Sequence, residues 1–347
     1  MESYFKRVAD QTPTRFWINN VTQEEAALAI EAGAVGSTQN PSYCWKMLTD
    51  EGEKPRTIEI LRKILADEPD DNKALVRLQR ELVTAICRIF EPMYTETGGK
   101  LGYVSIQGDP FLEDTDSIVE FARFHREAAP NIMAKIPVTA DGLKAIEILA
   151  REGVPINATE VMSVRQALDV CDVYVKATKG ISNPPIIYFS HIAGIFDEYL
   201  SETVNAQNID VNRDALWQAG IIVAKKIHEI VAERCYPVGF IGGGARGLHH
   251  FTEMVGGNAS ITINWKGTAD KLIESDPPVV QRFLAPVPHS VLEELLSKLP
   301  DFYKAYIIDA IDPEEYEHYG PVVKFRSMFE DAWIDARKEI SQYRSKL

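Results

Sequence analysis

The sequence predicts an α/β protein, a (β/α)8 TIM barrel with a C-terminal helical extension. Short apolar runs alternate with longer amphipathic segments, which is typical of a parallel sheet, and eight such runs are the number that closes a barrel. The runs lie near residues 15–19, 34–38, 101–107, 131–136, 155–160, 185–190, 237–242 and 259–264. After about residue 270 the pattern is entirely helical and rich in aromatic residues. We therefore expect residues 1–270 to form the catalytic barrel domain and residues 271–347 to pack on it.

The segments between the runs carry apolar residues at helical spacing. They predict helices near 56–66, 72–92, 115–128, 140–152, 163–177 and 210–235, then 289–299, 301–311 and 322–343 in the extension. Thr22 and Thr139 stand where N-terminal helix caps are favoured, and acidic residues follow Thr22. The glycine and proline content of residues 178–185 predicts a loop.

Composition and charge argue against several classes of function. The chain has 347 residues and a formal net charge of -14, which disfavours nucleic acid as a partner because the phosphate backbone requires a basic face. No apolar stretch approaches the ~18 residues of a membrane span, and the N-terminus has no apolar signal region. The four cysteines are far apart, and no Cys/His ligand spacing indicates a metal. We expect a cytoplasmic protein that uses neither a metal nor a cofactor.

Lys135 lies in the middle of the fourth apolar run, with apolar residues on both sides. Burial removes the hydration of an ammonium group, lowers its pKa and frees the amine to attack carbonyl compounds. The alternative is a lysine near a strand end whose side chain extends to water.

Polar residues occur at the predicted C-terminal ends of at least six strands, the end at which barrels of this type place their chemistry. They are Asn19 and Asn20, Thr38 to Ser42, Ser105, Gln107 and Asp109, Asn157 and Thr159, Ser190 and His191, and the Gly242–Gly244 stretch before Arg246. Each residue alone is more often a cap or turn former. Their agreement on one end of the barrel is what indicates a site. The glycine-rich stretch and Arg246 fit an anion, although a flexible turn with a solvated arginine fits the local sequence as well.

The segment from Lys135 to Ile146, KIPVTADGLKAI, resembles the Schiff-base lysine segment of the transaldolases and the related fructose 6-phosphate aldolases. Residues 152–159, the TQNPS stretch at 38–42, the GGAR stretch at 243–246 and residues 317–329 are similar to further elements of that family.

The resemblance implies a class I enzyme that binds a sugar or sugar phosphate, with a Schiff base on Lys135. It implies that Asn40 and Asn157 bind substrate hydroxyls, that Gln107 and Thr159 hold a water, and that Arg246 and the glycine loop hold an anionic end. Thr38, Ser190, His191 and Gly244 complete the predicted substrate site.

Three positions depart from the family pattern. Asn19 and Gln107 stand where transaldolases have carboxylates, although the fructose 6-phosphate aldolases also have glutamine at the second place. Ile195 stands where a second phosphate-binding arginine is expected. Because an amide cannot exchange protons near neutral pH, we expect Asp109, or secondarily His191, to take over proton exchange. A turn-capping role for Asp109 is the alternative.

Two further expectations concern orientation and reaction. Glu160 alternates with Thr159 along the strand and is expected to face the helices. The family default is transfer of a dihydroxyacetone unit between sugar phosphates. The alternatives are a plain aldolase for an unphosphorylated or differently charged ketose, and a non-catalytic sugar-binding relative. Whether the chain forms a homo-oligomer stays open.

Overall fold

A computed structural model describes residues 2–346. Eight parallel strands form a closed barrel in sequence order, with the first strand paired to the eighth. The strands are β1 (Arg15–Asn19), β2 (Ala34–Thr38), β3 (Tyr103–Gln107), β4 (Ile132–Pro137), β5 (Ile156–Val161), β6 (Ile187–His191), β7 (Gly239–Gly242) and β8 (Ser260–Ile263). The predicted fold class is confirmed, and every predicted strand lies within about two residues of an observed one.

The helices surround the barrel and continue beyond it. They are α1 (Tyr4–Gln11), α2 (Gln23–Ala32), α3 (Tyr43–Thr49), α4 (Lys54–Leu65), α5 (Asp71–Glu96), α6 (Thr115–Arg126), α7 (Ala140–Arg151), α8 (Val164–Ala177), α9 (Ala193–Gln207), α10 (Arg213–Leu216), α11 (Ala219–Glu233), α12 (His249–Thr252), α13 (Asp270–Ser275), α14 (His289–Lys298), α15 (Pro300–Tyr306) and α16 (Gly320–Arg344). No helix in residues 2–346 combines the length and apolar character that a membrane span requires.

Sequence patterns missed some helices. The structure adds α1, α3, α9, α12 and α13, and it divides the predicted 210–235 helix into α10 and α11. The first five residues of α9 are all buried, so the apolar and polar alternation of a surface helix is lost there. Thr22 and Thr139 do cap α2 and α7, each accepting a hydrogen bond from a backbone N–H three residues on.

The lower half of the barrel is filled by large side chains. Trp17, Tyr103, Met133 and Ile241 form a buried cluster, against which Tyr188 packs. Gly36 gives the Trp17 ring its room, because a Cβ there would lie 2.6 Å from the ring. The barrel is thus closed below, and the polar residues at the C-terminal strand ends surround the space above.

The C-terminal helix α16 lies across that space. It contacts α3, α5 and α9 and also reaches β5. Three of its own side chains, Phe325, Phe329 and Trp333, are buried. Trp333 Nε1 donates a hydrogen bond to Asn72 Oδ1 at 2.8 Å. The helical extension therefore covers the mouth of the barrel, while the division of the chain at residue 270 stays a prediction.

Candidate active site

A cavity of about 210 Å³ opens at the C-terminal end of the barrel. It brings together eight of the predicted site residues, from β1, β2, β4, β5, β6 and the loop after β7. They are Asn19, Thr38, Asn40, Lys135, Thr159, Ser190, Gly244 and Arg246. Three apolar side chains of α16, Phe325, Met328 and Phe329, close the other side. Such a mixture of convergent polar groups and apolar walls is typical of a small-molecule site.

Lys135 lies at the base of this cavity and is 7% exposed. Burial lowers the pKa of its ammonium to about 8, and the charge of Glu160 opposes that shift. The Nζ lies 5.6 Å from the centre of the Phe329 ring. With a pKa near 8, roughly a tenth of the Lys135 side chains are neutral amines at pH 7. The structure thus favours the buried, reactive reading of this lysine over one that extends to water.

Amides and hydroxyls form the rim on the side of β1 and β2. Thr38 Oγ1 donates to Asn19 Oδ1 at 2.9 Å, and Asn19 Nδ2 donates to Asn264 Oδ1 at 2.9 Å. Asn20 Nδ2 donates to Asn40 Oδ1, also at 2.9 Å. None of the described lining residues is an aspartate or a glutamate. The rim can donate to and accept from hydroxyl groups, but it offers no carboxylate as a proton acceptor.

Asn157 lies beneath the cavity instead of on its wall. It is fully buried and pairs with Lys135 in the register between β4 and β5. Its Nδ2 donates to Ser105 Oγ at 3.2 Å, and its Oδ1 accepts from Ser190 Oγ at 2.7 Å. In this state its amide therefore orients the Ser190 hydroxyl, which does line the cavity.

Asp109 lies in the turn after β3 and does not line the cavity. Its carboxylate accepts hydrogen bonds from Phe111 N at 2.9 Å and from Asn72 Nδ2 at 2.7 Å. The structure thus favours the turn-capping alternative, because both carboxylate oxygens are already occupied in the loop.

His191 also lies outside the cavity, fully buried at the end of β6. Its ring nitrogens lie 2.9 Å from Val161 O and 2.9 Å from Gly220 O. Burial lowers its pKa to about 4. His191 was expected in the substrate site and as the second candidate for proton exchange, but its ring packs toward α11 and not into the cavity.

Glu160 requires the opposite correction. It was expected to face the helices, yet its Oε1 accepts a hydrogen bond from Gln107 Nε2 at 3.2 Å, and Gln107 is the sheet neighbour of Lys135. The cause is a β-bulge in β5. Ala158 pairs with Phe189 and Val161 with His191, so two residues of β5 oppose one of β6. Glu160 has a φ of 65°, in the left-handed region, and this redirects its side chain.

Gln107 joins the buried carboxyl group of Glu160 and the partly buried one of Glu113. It pairs with Lys135 in the sheet register, and its Nε2 also lies 3.4 Å from Glu113 Oε1. Burial raises the pKa of Glu160 to about 7, while the Gln107 hydrogen bond and the Lys135 charge oppose the rise. Burial and the Glu160 charge raise the pKa of Glu113 well above its ordinary range. Two carboxyl groups that do not line the cavity therefore meet at Gln107, the sheet neighbour of Lys135.

Comparison with known proteins agrees with this architecture. The family model described as transaldolase/fructose-6-phosphate aldolase matches residues 16–294. The chain belongs to this family. It is 28% identical over 202 residues to a transaldolase of Thiobacillus denitrificans, an alignment that covers 55% of each chain. It is 29% identical over 220 residues to a transaldolase of Acidothermus cellulolyticus, covering 60% of this chain and 58% of the relative. The chain thus spans little more than half the length of these curated relatives.

The end of the cavity predicted to bind an anion is already paired within the chain. Arg246 lines the cavity, but its guanidinium forms an ion pair with Glu198 of α9. Lys324 of α16 lies 3.7 Å from Glu198 and 2.7 Å from Glu202. Ile195 lines the wall where a second arginine is expected. The positive charge at this end is therefore largely compensated by carboxylates of the chain itself.

The loop that carries Arg246 is held by an internal polar chain. Asp197 Oδ1 accepts from Gly220 N at 2.6 Å, and its Oδ2 lies 3.0 Å from His250 Nε2. His250 Nδ1 lies 3.3 Å from Arg246 N. Gly244 takes a φ of 68°, which glycine adopts at little cost. These contacts hold the backbone of the glycine-rich loop that the sequence analysis gave as a candidate anion site. They do not involve the Arg246 side chain.

Sequence reasoning missed several residues of the site. Thr262 and Asn264 of the β8 end line the cavity, as does Met328. Their sequence signals are weak, because Thr262 and Asn264 belong to no motif and Met328 lies among the aromatic residues of α16. Glu113, Glu160 and Glu198 had no usable signal, because a bulge and contacts between distant helices decide their positions.

Proposed function

We propose that this family member is a class I enzyme that forms a Schiff base between Lys135 and a ketose. The observation that carries the proposal is a buried lysine with a pKa lowered to about 8, facing a polar cavity at the catalytic end of the barrel. A non-catalytic sugar-binding relative would gain nothing from the cost of burying that amine.

The chemistry follows from the amine. Lys135 Nζ attacks the ketone carbon, and loss of water leaves an iminium. Solvent water then takes the proton of the hydroxyl two carbons away, the intervening C–C bond breaks, and its electron pair passes to the iminium to give an enamine and a free aldehyde. The iminium is itself the electron sink, so this reaction calls for no cofactor.

The rim supports a polyhydroxylated substrate. Asn19, Asn40, Thr38 and Ser190 offer groups that both donate and accept hydrogen bonds. In the family default the enamine attacks a second aldehyde, so that a dihydroxyacetone unit passes between sugar phosphates. That reaction would place the chain in the pentose phosphate pathway, as a transferase.

A second candidate is a plain aldolase for an unphosphorylated or less charged ketose. The observation that favours it is the pairing of Arg246 with Glu198, together with Ile195 in the wall. A phosphate would have to displace Glu198 from the guanidinium and would meet no second arginine. The two candidates share the Schiff base and differ in what the far end of the cavity accepts.

Borohydride trapping tests the shared step. Reduction in the presence of dihydroxyacetone, fructose or fructose 6-phosphate should add one ketose-derived mass per chain, located by peptide mapping on Lys135. Lys135→Ala should remove the adduct. Lys144→Ala is the matched control, because Lys144 is an exposed lysine on the next helix and should leave trapping unchanged. An adduct that persists in Lys135→Ala would refute the assignment.

A further inference from the structure

We propose that Glu160 is the proton-exchanging group of the Lys135 site, supplying and recovering the proton that accompanies iminium formation. The inference rests on the proposed function for its chemistry, and it names a carboxyl group that the amide rim of the cavity lacks. Three features carry it: the backbone of β5, the surroundings of the carboxyl group, and its hydrogen bond to Gln107, the sheet neighbour of Lys135.

The backbone is built to turn Glu160 inward. A bulge and a φ of 65° place a non-glycine residue in a conformation that costs free energy and persists only where its surroundings fix it. Gln166 provides that support. Its Nε2 donates to Glu160 O at 3.2 Å and to Val138 O at 2.9 Å, and its Oε1 accepts from Met162 N at 2.9 Å. Without the bulge, Glu160 would point outward between β5 and the helices.

The carboxyl group is held at one oxygen and unengaged at the other. Glu160 Oε1 accepts from Gln107, whereas Oε2 is buried and contacts no donor among residues 2–346. Gln107 Oε1 and Thr159 Oγ1 are likewise buried without a partner in that range. Buried polar atoms without partners are rare and call for an explanation. These three belong to residues that adjoin Lys135, so a small polar molecule there would find donors and acceptors.

Four charged groups from three elements act on Glu160. Lys135 of β4 and Arg326 of α16 favour its ionised form, whereas Glu330 of α16 disfavours it. Glu113, in the loop after β3, interacts with it through Gln107 and by charge. Burial outweighs these charges and the Gln107 hydrogen bond, and it raises the pKa of Glu160 to about 7. A carboxyl group in this range can both give and take a proton at neutral pH.

The proposed step is the dehydration of a carbinolamine. Attack of Lys135 on the ketone gives this carbinolamine, which has a C–OH and a C–N bond. Protonated Glu160 donates its proton to that hydroxyl, the C–O bond breaks, and water leaves as the nitrogen lone pair forms the C=N bond. The products are an iminium, one water and the Glu160 carboxylate. Hydrolysis runs through the same step in reverse, with Glu160 taking a proton from the attacking water.

Separate substitutions of Glu160 and Glu113 test this role. Glu160→Gln should slow the formation of the trapped adduct by ~10²–10⁴-fold and remove the fall in its rate as the pH rises through the pKa of Glu160, leaving only the rise that follows deprotonation of Lys135, while Lys135 still becomes labelled at long times. Glu113→Gln is the control, since Glu113 lies on the far side of Gln107, and should retain the pH dependence. Adduct formation in Glu160→Gln at the wild-type rate, or slowed equally at every pH, would overturn the proposal.

A second variant guards against misfolding of the first. Gln107→Met removes the hydrogen bond that lowers the pKa of Glu160 but keeps the carboxyl group. The inflection in the rate of adduct formation should then move to higher pH. An inflection that stays in place would overturn the proposal, even if Glu160→Gln cannot be purified.

A measurement without substrate separates this inference from the proposed function. Lysines are methylated with ¹³C-formaldehyde and cyanoborohydride, and the Lys135 signal, assigned with Lys135→Ala, is titrated by NMR. In Glu160→Gln the Lys135 pKa should fall further below its ordinary value, because the opposing negative charge is lost. An unchanged pKa would overturn the pairing. If no ketose is trapped but the pKa does shift, the proposed function fails while the Glu160–Lys135 pair stands.

Discussion

His125 on α6 is buried, and neither of its ring nitrogens contacts a donor or acceptor within residues 2–346. Burial lowers its pKa to about 3 in the folded state, against about 6.5 in the unfolded chain. The unfolded chain therefore binds a proton first as the pH falls, and stability is lost between pH 6.5 and 3. The loss through His125 is on the order of 2–3 kcal/mol at pH 4.5 relative to pH 7.

His125→Phe should remove this part of the pH dependence, since Phe121 and Phe124 already surround the ring. Urea unfolding at pH 7 and pH 4.5 measures the difference in the free energy of unfolding. His289→Phe, at a residue with a 92% exposed side chain, is the control and should keep the wild-type slope. If the free energy of unfolding changes equally between pH 7 and pH 4.5 in His125→Phe and in the wild type, the His125 ring is not neutral in the folded state.

Charge compensation by Glu198 makes a second residue-level prediction. Glu198→Gln should free Arg246 for an anionic substrate. One charge-assisted contact is worth about 1.5–3 kcal/mol, so the ratio of kcat/KM for phosphorylated over free ketose should rise by roughly 10- to 150-fold. Glu202→Gln is the control because Glu202 pairs with Lys324 and is well exposed. A ratio that does not move would mean that Arg246 takes no part in substrate choice.

At the scale of residues, sequence reasoning placed side chains correctly where strand alternation is regular. Lys135, Thr38 and Thr159 face the cavity as alternation requires. Glu160 was misplaced because one inserted residue reverses the alternation, and no local pattern signals that bulge. The Arg246–Glu198 pair joins residues 48 positions apart, which a single sequence cannot reveal.

At the scale of elements, the eight strands were predictable because fully buried parallel strands leave short, nearly continuous apolar runs. The helix α9 was missed for a related reason, since its first turn is buried on all sides. The support of the β5 bulge by Gln166 of α8 was also hidden, because it depends on where a capping side chain points.

Gln166→Leu is the prediction at this scale. It leaves the backbone groups of Val138, Glu160 and Met162 buried without their partner. We expect a loss of at least about 3 kcal/mol in the free energy of unfolding, together with slower adduct formation at Lys135. Gln207→Leu, at an exposed position of α9, is the matched control. A variant with wild-type stability would indicate that the bulge holds itself.

At the scale of the whole molecule, the C-terminal helix completes a site that the barrel begins. It supplies the Phe329 ring near Lys135 and the Arg326 guanidinium, whose Nη1 lies 3.8 Å from Glu113 Oε2. The sequence predicted that the extension packs on the barrel but not that it closes the cavity. The spacing of apolar residues shows which face of a helix is buried, but it does not give the direction in which the helix crosses its partner. The low pKa of Lys135 is therefore a property of the barrel and the extension together.

Trp333→Ala tests that dependence. Trp333 belongs to α16, is fully buried and donates a hydrogen bond to Asn72 at the start of α5. Its loss should therefore lower the free energy of unfolding by about 3–5 kcal/mol. Water that enters beneath the loosened helix should raise the pKa of Lys135 toward its ordinary value and shift the pH dependence of adduct formation upward. Trp217→Ala removes a 40% exposed tryptophan and should do neither. A destabilised Trp333→Ala with an unmoved Lys135 pKa would show that the barrel alone desolvates the amine.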